Sequence, residues 1–185
     1  MPSIEPQHPT DAPAIEALLD LAFGRDRHAR PSYRLREGVA PIEALGLVAR
    51  IDGALVGTLR FWPVAVGEHD GDCPPALLLG PLAVHPDRRG GGIARGLVGR
   101  GLERATKAGY RVVVTVGEPG LFARFGFARA RSAGISMPVP VDEARFLAAE
   151  LVPGALARTT GVLGRWRDDA GAVAKEEISA AGSVG

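Results

Sequence analysis

A mixed α/β fold is predicted by two features of this 185-residue sequence. The first is a strand, helix, strand unit. "ALLLGPLAV" and "YRVVVTV" are apolar runs of strand length, and "GGIARGLVGRGLERATKAG" between them repeats its apolar residues at helical spacing, so the two strands are expected to pair in parallel across a crossover helix. The second is a hairpin, "LGLVARIDGALVGTLRFWPVAV", in which two alternating runs flank Asp52-Gly53, the dipeptide best suited to a tight turn with positive φ.

The remaining elements follow in chain order. "SIEPQHP" reads as a short edge strand limited by its prolines. Thr10 with Asp11 is expected to cap a helix that has Pro13 in its first turn and Ile15, Leu18, Leu19 and Ala22 along one face. A second helix is expected over residues 32–37, and "GEHDGDCPP" after the hairpin reads as a polar loop. In the crossover helix Ala94, Leu97, Val98, Gly101, Leu102 and Ala105 make the apolar face, while Arg100, Glu103, Arg104 and Lys107 make the wet one. Gly109 is placed to end that helix in the left-handed conformation. "FARFGF" supplies aromatic packing with a turn at Gly126, and Trp62 reads as a core residue. "RTTGVLGR" is a candidate last strand, and the small, polar "DDAGAVAKEEISAAGSVG" is expected to end as a mobile tail.

Composition narrows the function classes. Twenty-two Lys and Arg against 21 Asp and Glu give a net charge of +1, which creates no global field for nucleic acid or an anionic membrane. No apolar run approaches the roughly 18 residues that span a bilayer, and "MPSIEPQHPTD" has no basic start followed by an apolar stretch, so the expectation is a cytoplasmic protein. Cys73 is the single cysteine and forms no internal disulfide; "EHDGDC" around it lacks a regular metal spacing, so no metal is expected.

The chemistry concentrates in "HPDRRGGGIARGL". First-turn amides of a helix have no intrahelical partner, and the peptide dipoles place roughly half a positive charge there. Gly90, Gly91 and Gly92 leave those amides bare, and Arg88 and Arg89 add fixed charge, so a phosphate or pyrophosphate is the expected guest. A solvated glycine loop is the competing reading. A P-loop is excluded because Gly92-Ile93-Ala94 stands where Gly-Lys-Ser or Gly-Lys-Thr is needed. A dinucleotide fold is disfavoured, since "HPDRR" separates Val84 from the first glycine and Arg95 falls where a small residue belongs. Within "ALLLGPLAV", Gly80-Pro81 must interrupt or bulge the strand pairing, which either leaves Leu82, Ala83 and Val84 free to receive an extended amide-bearing ligand by strand addition or is an ordinary edge-strand bulge.

"LAVHPDRRGGGIARGLV" resembles the acyl-CoA loop of the GNAT N-acetyltransferases, whose signature (Arg or Gln, two residues, Gly, one residue, Gly or Ala) is filled by Arg89, Gly92 and Ala94. "YRLREG", "LVGTLRFWPV", "LLLGPLAVHPDRRG", "FARFGF" and "ELVPGAL" extend the likeness to a bacterial subgroup of predicted acetyltransferases over about residues 1–155, leaving 156–185 as an extension with one strand and a tail. The resemblance implies a mixed, mostly antiparallel sheet with helices on both faces and splayed central strands. It also implies transfer of acetyl from acetyl-CoA, or another acyl group from its acyl-CoA, to an amine in a ternary complex. Leu82 to Val84, Arg88 to Gly92, Ile93 and Ala94 would then bind the cofactor.

Attack on a thioester requires a neutral amine, hence a base acting directly or through water. His85, directly after the cofactor strand, and Glu118, at the end of the next strand, are the candidates; each has a structural alternative as a loop or capping residue. The resemblance places Tyr33, Arg34 and Arg36 on the acceptor side, with a solvated helix face as the competing reading. GNAT enzymes commonly carry a tyrosine at the position of Phe122, where its hydroxyl protonates the leaving thiolate; here Cys73 or Tyr110 would have to take that role, or the thiolate leaves unaided. The acceptor is a small-molecule amine or a protein amine, a homodimer stays open, and a non-catalytic acyl-CoA-binding module is the alternative function.

Overall fold

The computed structural model describes residues 2–29, 31–67 and 75–166. The expected polar loop with Cys73 and the expected C-terminal tail lie outside the described residues. The chain runs β1 (Ser3–Pro6), α1 (Ala12–Phe23), α2 (Pro31–Arg34), β2 (Leu47–Ile51), β3 (Ala54–Val66), β4 (Ala76–Val84), α3 (Ile93–Lys107), β5 (Val112–Val116), α4 (Pro119–Phe122), β6 (Ala128–Arg129), β7 (Ile135–Ser136), β8 (Phe146–Glu150) and β9 (Gly161–Arg165). The sheet order is β1-β2-β3-β4-β5-β8-β6, with β9 joining the end of β3 at residues 64–66 and pairing β7. Among the described residues only β4 with β5 and β7 with β9 pair in parallel.

The period-two alternation of the strands puts helices on both faces. Leu97, Val98, Leu102 and Ala105 of α3 pack with Ala49, Leu59, Phe61 and Leu77, whereas Ile15, Leu18 and Leu19 of α1 pack with Val48 and Ala83. Val48 and its neighbour Ala49 thus serve opposite faces. Full burial of a residue such as Leu97 contributes about 1.5–3 kcal/mol. Gly101 lets α3 approach closely, since a Cβ there would stand 2.8 Å from Leu59 and 2.9 Å from Phe61. Asp52 and Gly53 both take positive φ, as the hairpin requires, and Gly109 does so just beyond the end of α3.

Three local expectations are corrected. Asp11 stands at the N-cap of α1 as expected but makes no side-chain capping bond into it; it accepts from the His8 amide and pairs with Arg50 at 2.5 Å, while the His8 ring caps the short 3₁₀ turn before α1 by accepting from the Thr10 amide. The helix expected over 32–37 is a single turn ending at Arg34, because Leu35 and Arg36 turn inward and are buried. Arg104 is half-buried, not on the wet face, and donates to the Ala44 carbonyl at 2.6 Å.

The feature that positions the site is a fork. Parallel pairing of β4 with β5 covers Leu77↔Val113 and Leu78↔Val114, then stops, although both strands continue. The bulge lies in β4 at Gly80-Pro81, where Phe61↔Leu79 is followed by Leu59↔Leu82 in the pairing with β3. From Gly80 onward the β5-facing edge of β4 has no strand partner among the described residues.

Candidate active site

Between the arms of the fork lies a cavity of about 230 Å³, walled by Leu78 to Leu82 from β4, Thr115 to Glu118 from the end of β5, Leu121 and Phe122 from α4, and Tyr33 and Arg36. Thr115 sets where the fork opens. Its hydroxyl donates to the Leu79 carbonyl at 3.1 Å, one step past the last strand pair, and holds the two arms together at their base. Its only sequence signal is a lone hydroxyl in the valine run "VVVTV".

Beyond Val84 the chain makes a 3₁₀ turn, Pro86–Arg88, and then enters α3 through the glycines. Gly90 and Gly92 take φ of +84° and +78°, and nothing lies within 4 Å of the position a Cβ would occupy at either. Gly92 caps α3 without a side chain, and the first intrahelical bond is Gly96 N–H to Gly92 O at 2.9 Å, so the amides of Ile93, Ala94 and Arg95 precede the hydrogen-bond ladder. Residues 86–92, including Arg88 and Arg89, are exposed. This arrangement is chemically fitted to a phosphate: bare amides, a helix N-terminus and two exposed cations.

The two candidate bases separate. Glu118 lines the cavity; its main-chain carbonyl accepts from Leu121 and Phe122, while its carboxylate makes no capping bond and is exposed. His85 is not in that lining. Its ring accepts from the Asp87 amide at 3.3 Å and its own amide donates to Val56 at 2.8 Å, which is the structural role of a turn cap. Phe122 is buried, lies 5.2 Å from the Phe127 ring, and covers Gly117 so closely that a Cβ there would come within 2.4 Å of it. Tyr110 precedes the opposite end of β5 and packs against the core, where burial raises its hydroxyl above the ordinary value.

Of the residues expected on the acceptor side, Tyr33 and Arg36 line the cavity and Arg34 does not; Arg34 is exposed and its carbonyl accepts from Arg165. A second cavity of about 260 Å³ adjoins through Tyr33, Arg36 and Pro81 and includes Arg27, Arg60 and Trp62, which stands half-buried in its wall. Arg27 is buried; burial would lower its pKa, but Tyr33, Asp20 and Glu16 outweigh that and raise it. Arg36 is only 8% exposed, and burial pushes its guanidinium down to about 10.

Comparison with known proteins gives this geometry a lineage. The family model for the Acetyltransferase (GNAT) domain matches residues 3–130. YhbS of Escherichia coli K12, an uncharacterized N-acetyltransferase, is 39% identical over 156 residues, covering 84% of this chain and 90% of YhbS. The crystal structure of YhbS from Escherichia coli in complex with CoA superposes with a TM-score of 0.75 at 37% identity, covering 90% of both chains. A GNAT family acetyltransferase from Brucella melitensis in complex with acetyl-CoA does so at 0.63 and 27% identity, covering 90% of this chain and 96% of that one. A forked sheet, a glycine-bare helix start and a family match over most of the fold lead to one conclusion: the chain belongs to the GNAT acetyltransferases.

Proposed function

We propose that this acyl-CoA-dependent N-acyltransferase moves the acetyl group of acetyl-CoA directly to a small primary amine in the fork between β4 and β5. The observation that carries the reading is that fork: two parallel strands that pair for two residues and then part around a cavity whose lining includes Glu118. In this reading the pyrophosphate lies on the amides of Gly90 to Ala94 with Arg88 and Arg89 at its rim, and the pantetheine amides add to the unpaired edge at Leu82, Ala83 and Val84. The amine nitrogen attacks the thioester carbonyl carbon, the C–S bond breaks, and coenzyme A departs as a thiolate.

Glu118 is the base we favour, directly or through water, because it alone of the two candidates lines the cavity. Phe122 holds no proton to give the thiolate, but a thiol of pKa near 8.5 leaves acceptably as thiolate close to neutral pH. A small acceptor is favoured because the cavity holds about 230 Å³ and the net charge of +1 offers no strong docking field. The test is acetyl-CoA-dependent acetylation across a panel of amines, followed by release of free thiol and by mass of the product. Stoichiometric thiol and N-acetyl product are expected. Binding of acetyl-CoA without transfer to any amine would refute the reading in favour of a binding module.

A further inference from the structure

Arg36 is a buried cation for which the described residues supply no anion. Its Nε and Nη1 are buried without a hydrogen-bond partner, and it enters no ion pair among the described residues. Its neighbours are differently placed. Arg27 holds Glu16 at 2.6 Å and Asp20 at 2.9 Å, Arg60 shares Glu16 at 3.1 Å, and Glu37 is taken by Arg165 at 2.5 Å. What Arg36 does have is neutral: its guanidinium carbon lies 4.7 Å from the Tyr33 ring centre and 5.6 Å from that of Trp62, and the Tyr33 side chain shares a hydrogen bond with it. Ring faces and that hydrogen bond steady a cation, but Nε and Nη1 are left without a partner. A lone charge withdrawn from water costs far more than such contacts return, and methionine of similar length would serve packing better.

The position of this residue gives the charge a use. Arg36 lines both cavities, and its Nη2 stands 3.1 Å from where a Cβ on Gly80 would be, at the bend where the fork opens. Glu118 borders the same cavity. A molecule small enough for that space can therefore present one end to Arg36 and an amine to the wall that holds the base.

We propose that the amine accepted by this enzyme carries a carboxylate, and that Arg36 is the residue that selects it. The acceptor class is thus a small amino acid or amino-carboxylic acid, held by its anionic end while the amine faces the thioester. This rests on the transferase reading above and deepens it. One charge-assisted contact of this kind corresponds to about a 10- to 100-fold preference.

The test compares amino acids with their own carboxamides as acceptors, reading thiol release, in the wild type and in Arg36→Met and Arg36→Lys. The wild type is expected to favour the carboxylate member by about 10- to 100-fold in kcat/KM, mainly through KM; Arg36→Met should bring the ratio near one and Arg36→Lys restore part of it. Arg36→Met should melt no lower than the wild type, since it removes an uncompensated buried charge; if it fails to fold, Arg36→Lys carries the comparison. A wild-type ratio near one, or a ratio that Arg36→Met leaves intact, overturns the proposal. So does an equal fall in kcat for both members, which would assign Arg36 to the thioester instead. Calorimetry of the amino acid on the CoA-loaded protein separates the two levels: binding that Arg36→Met weakens, without turnover, sustains the anion site and refutes the transferase reading, whereas turnover without carboxylate preference does the reverse.

Discussion

Replacing Gly92 by aspartate tests the pyrophosphate cradle most directly, because the structure separates the effect on folding from the effect on binding. Gly92 sits at φ +78°, and the space around its missing Cβ is open, so a side chain there meets backbone strain but no clash. Aspartate tolerates the left-handed region better than most residues, and the strain is about 1–2 kcal/mol, small beside the 5–15 kcal/mol of a typical domain. Binding suffers twice. The carboxylate at the N-cap can take the amide of Ala94 or Arg95 for itself, and it puts a like charge where the phosphate must lie. Losing two charge-assisted hydrogen bonds at about 1.5–3 kcal/mol each predicts acetyl-CoA affinity lower by about 10²- to 10⁴-fold. Gly92→Ala carries the strain without the charge and should cost no more than about tenfold. Calorimetry with acetyl-CoA, beside thermal melts of both variants, reads the difference. Affinity unchanged in Gly92→Asp, or equal losses in the two variants, would refute the cradle.

Other expectations follow from the same geometry. Phe122→Tyr puts a hydroxyl in the cavity wall, and since acid assistance is typically worth 10²–10⁴ in rate, kcat should rise by at least about tenfold at constant acetyl-CoA affinity; no rise means that the thiolate already leaves unaided. Glu118→Gln should remove an ionisation from the pH profile of kcat/KM that His85→Ala leaves in place; the reverse pattern would transfer the base to His85. Thr115→Val strands the Leu79 carbonyl at the base of the fork and should lower stability by about 1–3 kcal/mol in urea titrations, with an unchanged midpoint arguing against that tie. For Asp11, burial raises the carboxyl pKa, but the His8 amide and Arg50 outweigh it and hold the group below the ordinary range. Its stabilisation is therefore complete above the unfolded value near 4 and is lost as pH falls through the lower folded value, so Asp11→Asn should show a shallower acid transition by circular dichroism than the wild type.

Much of the fold was legible because it depends on the chain's own periodicity. The apolar spacing of Leu97 to Ala105, the Asp52-Gly53 turn, the Gly80-Pro81 interruption and the bare Gly90 to Gly92 stretch each follow from backbone geometry acting over a few residues, and each stands in the structure where the sequence put it, while Ile93 takes the buried place expected of Ala94. What the sequence could not decide was which of two nearby polar residues faces the cavity. His85 and Glu118 both close a strand, yet one caps a turn and the other reaches the wall of the fork. Arg34 and Arg36 lie two apart; Arg34 ends the single turn of α2 and is exposed, whereas Arg36, in the turn that follows, is buried beside the Tyr33 and Trp62 rings. Neither the tie from Thr115 to Leu79, 36 residues away, nor the pairing of β9 with the end of β3 has a local signature. Periodicity fixes a face within one element, but a cavity is made by several elements at once, and only their packing determines which side chains it receives.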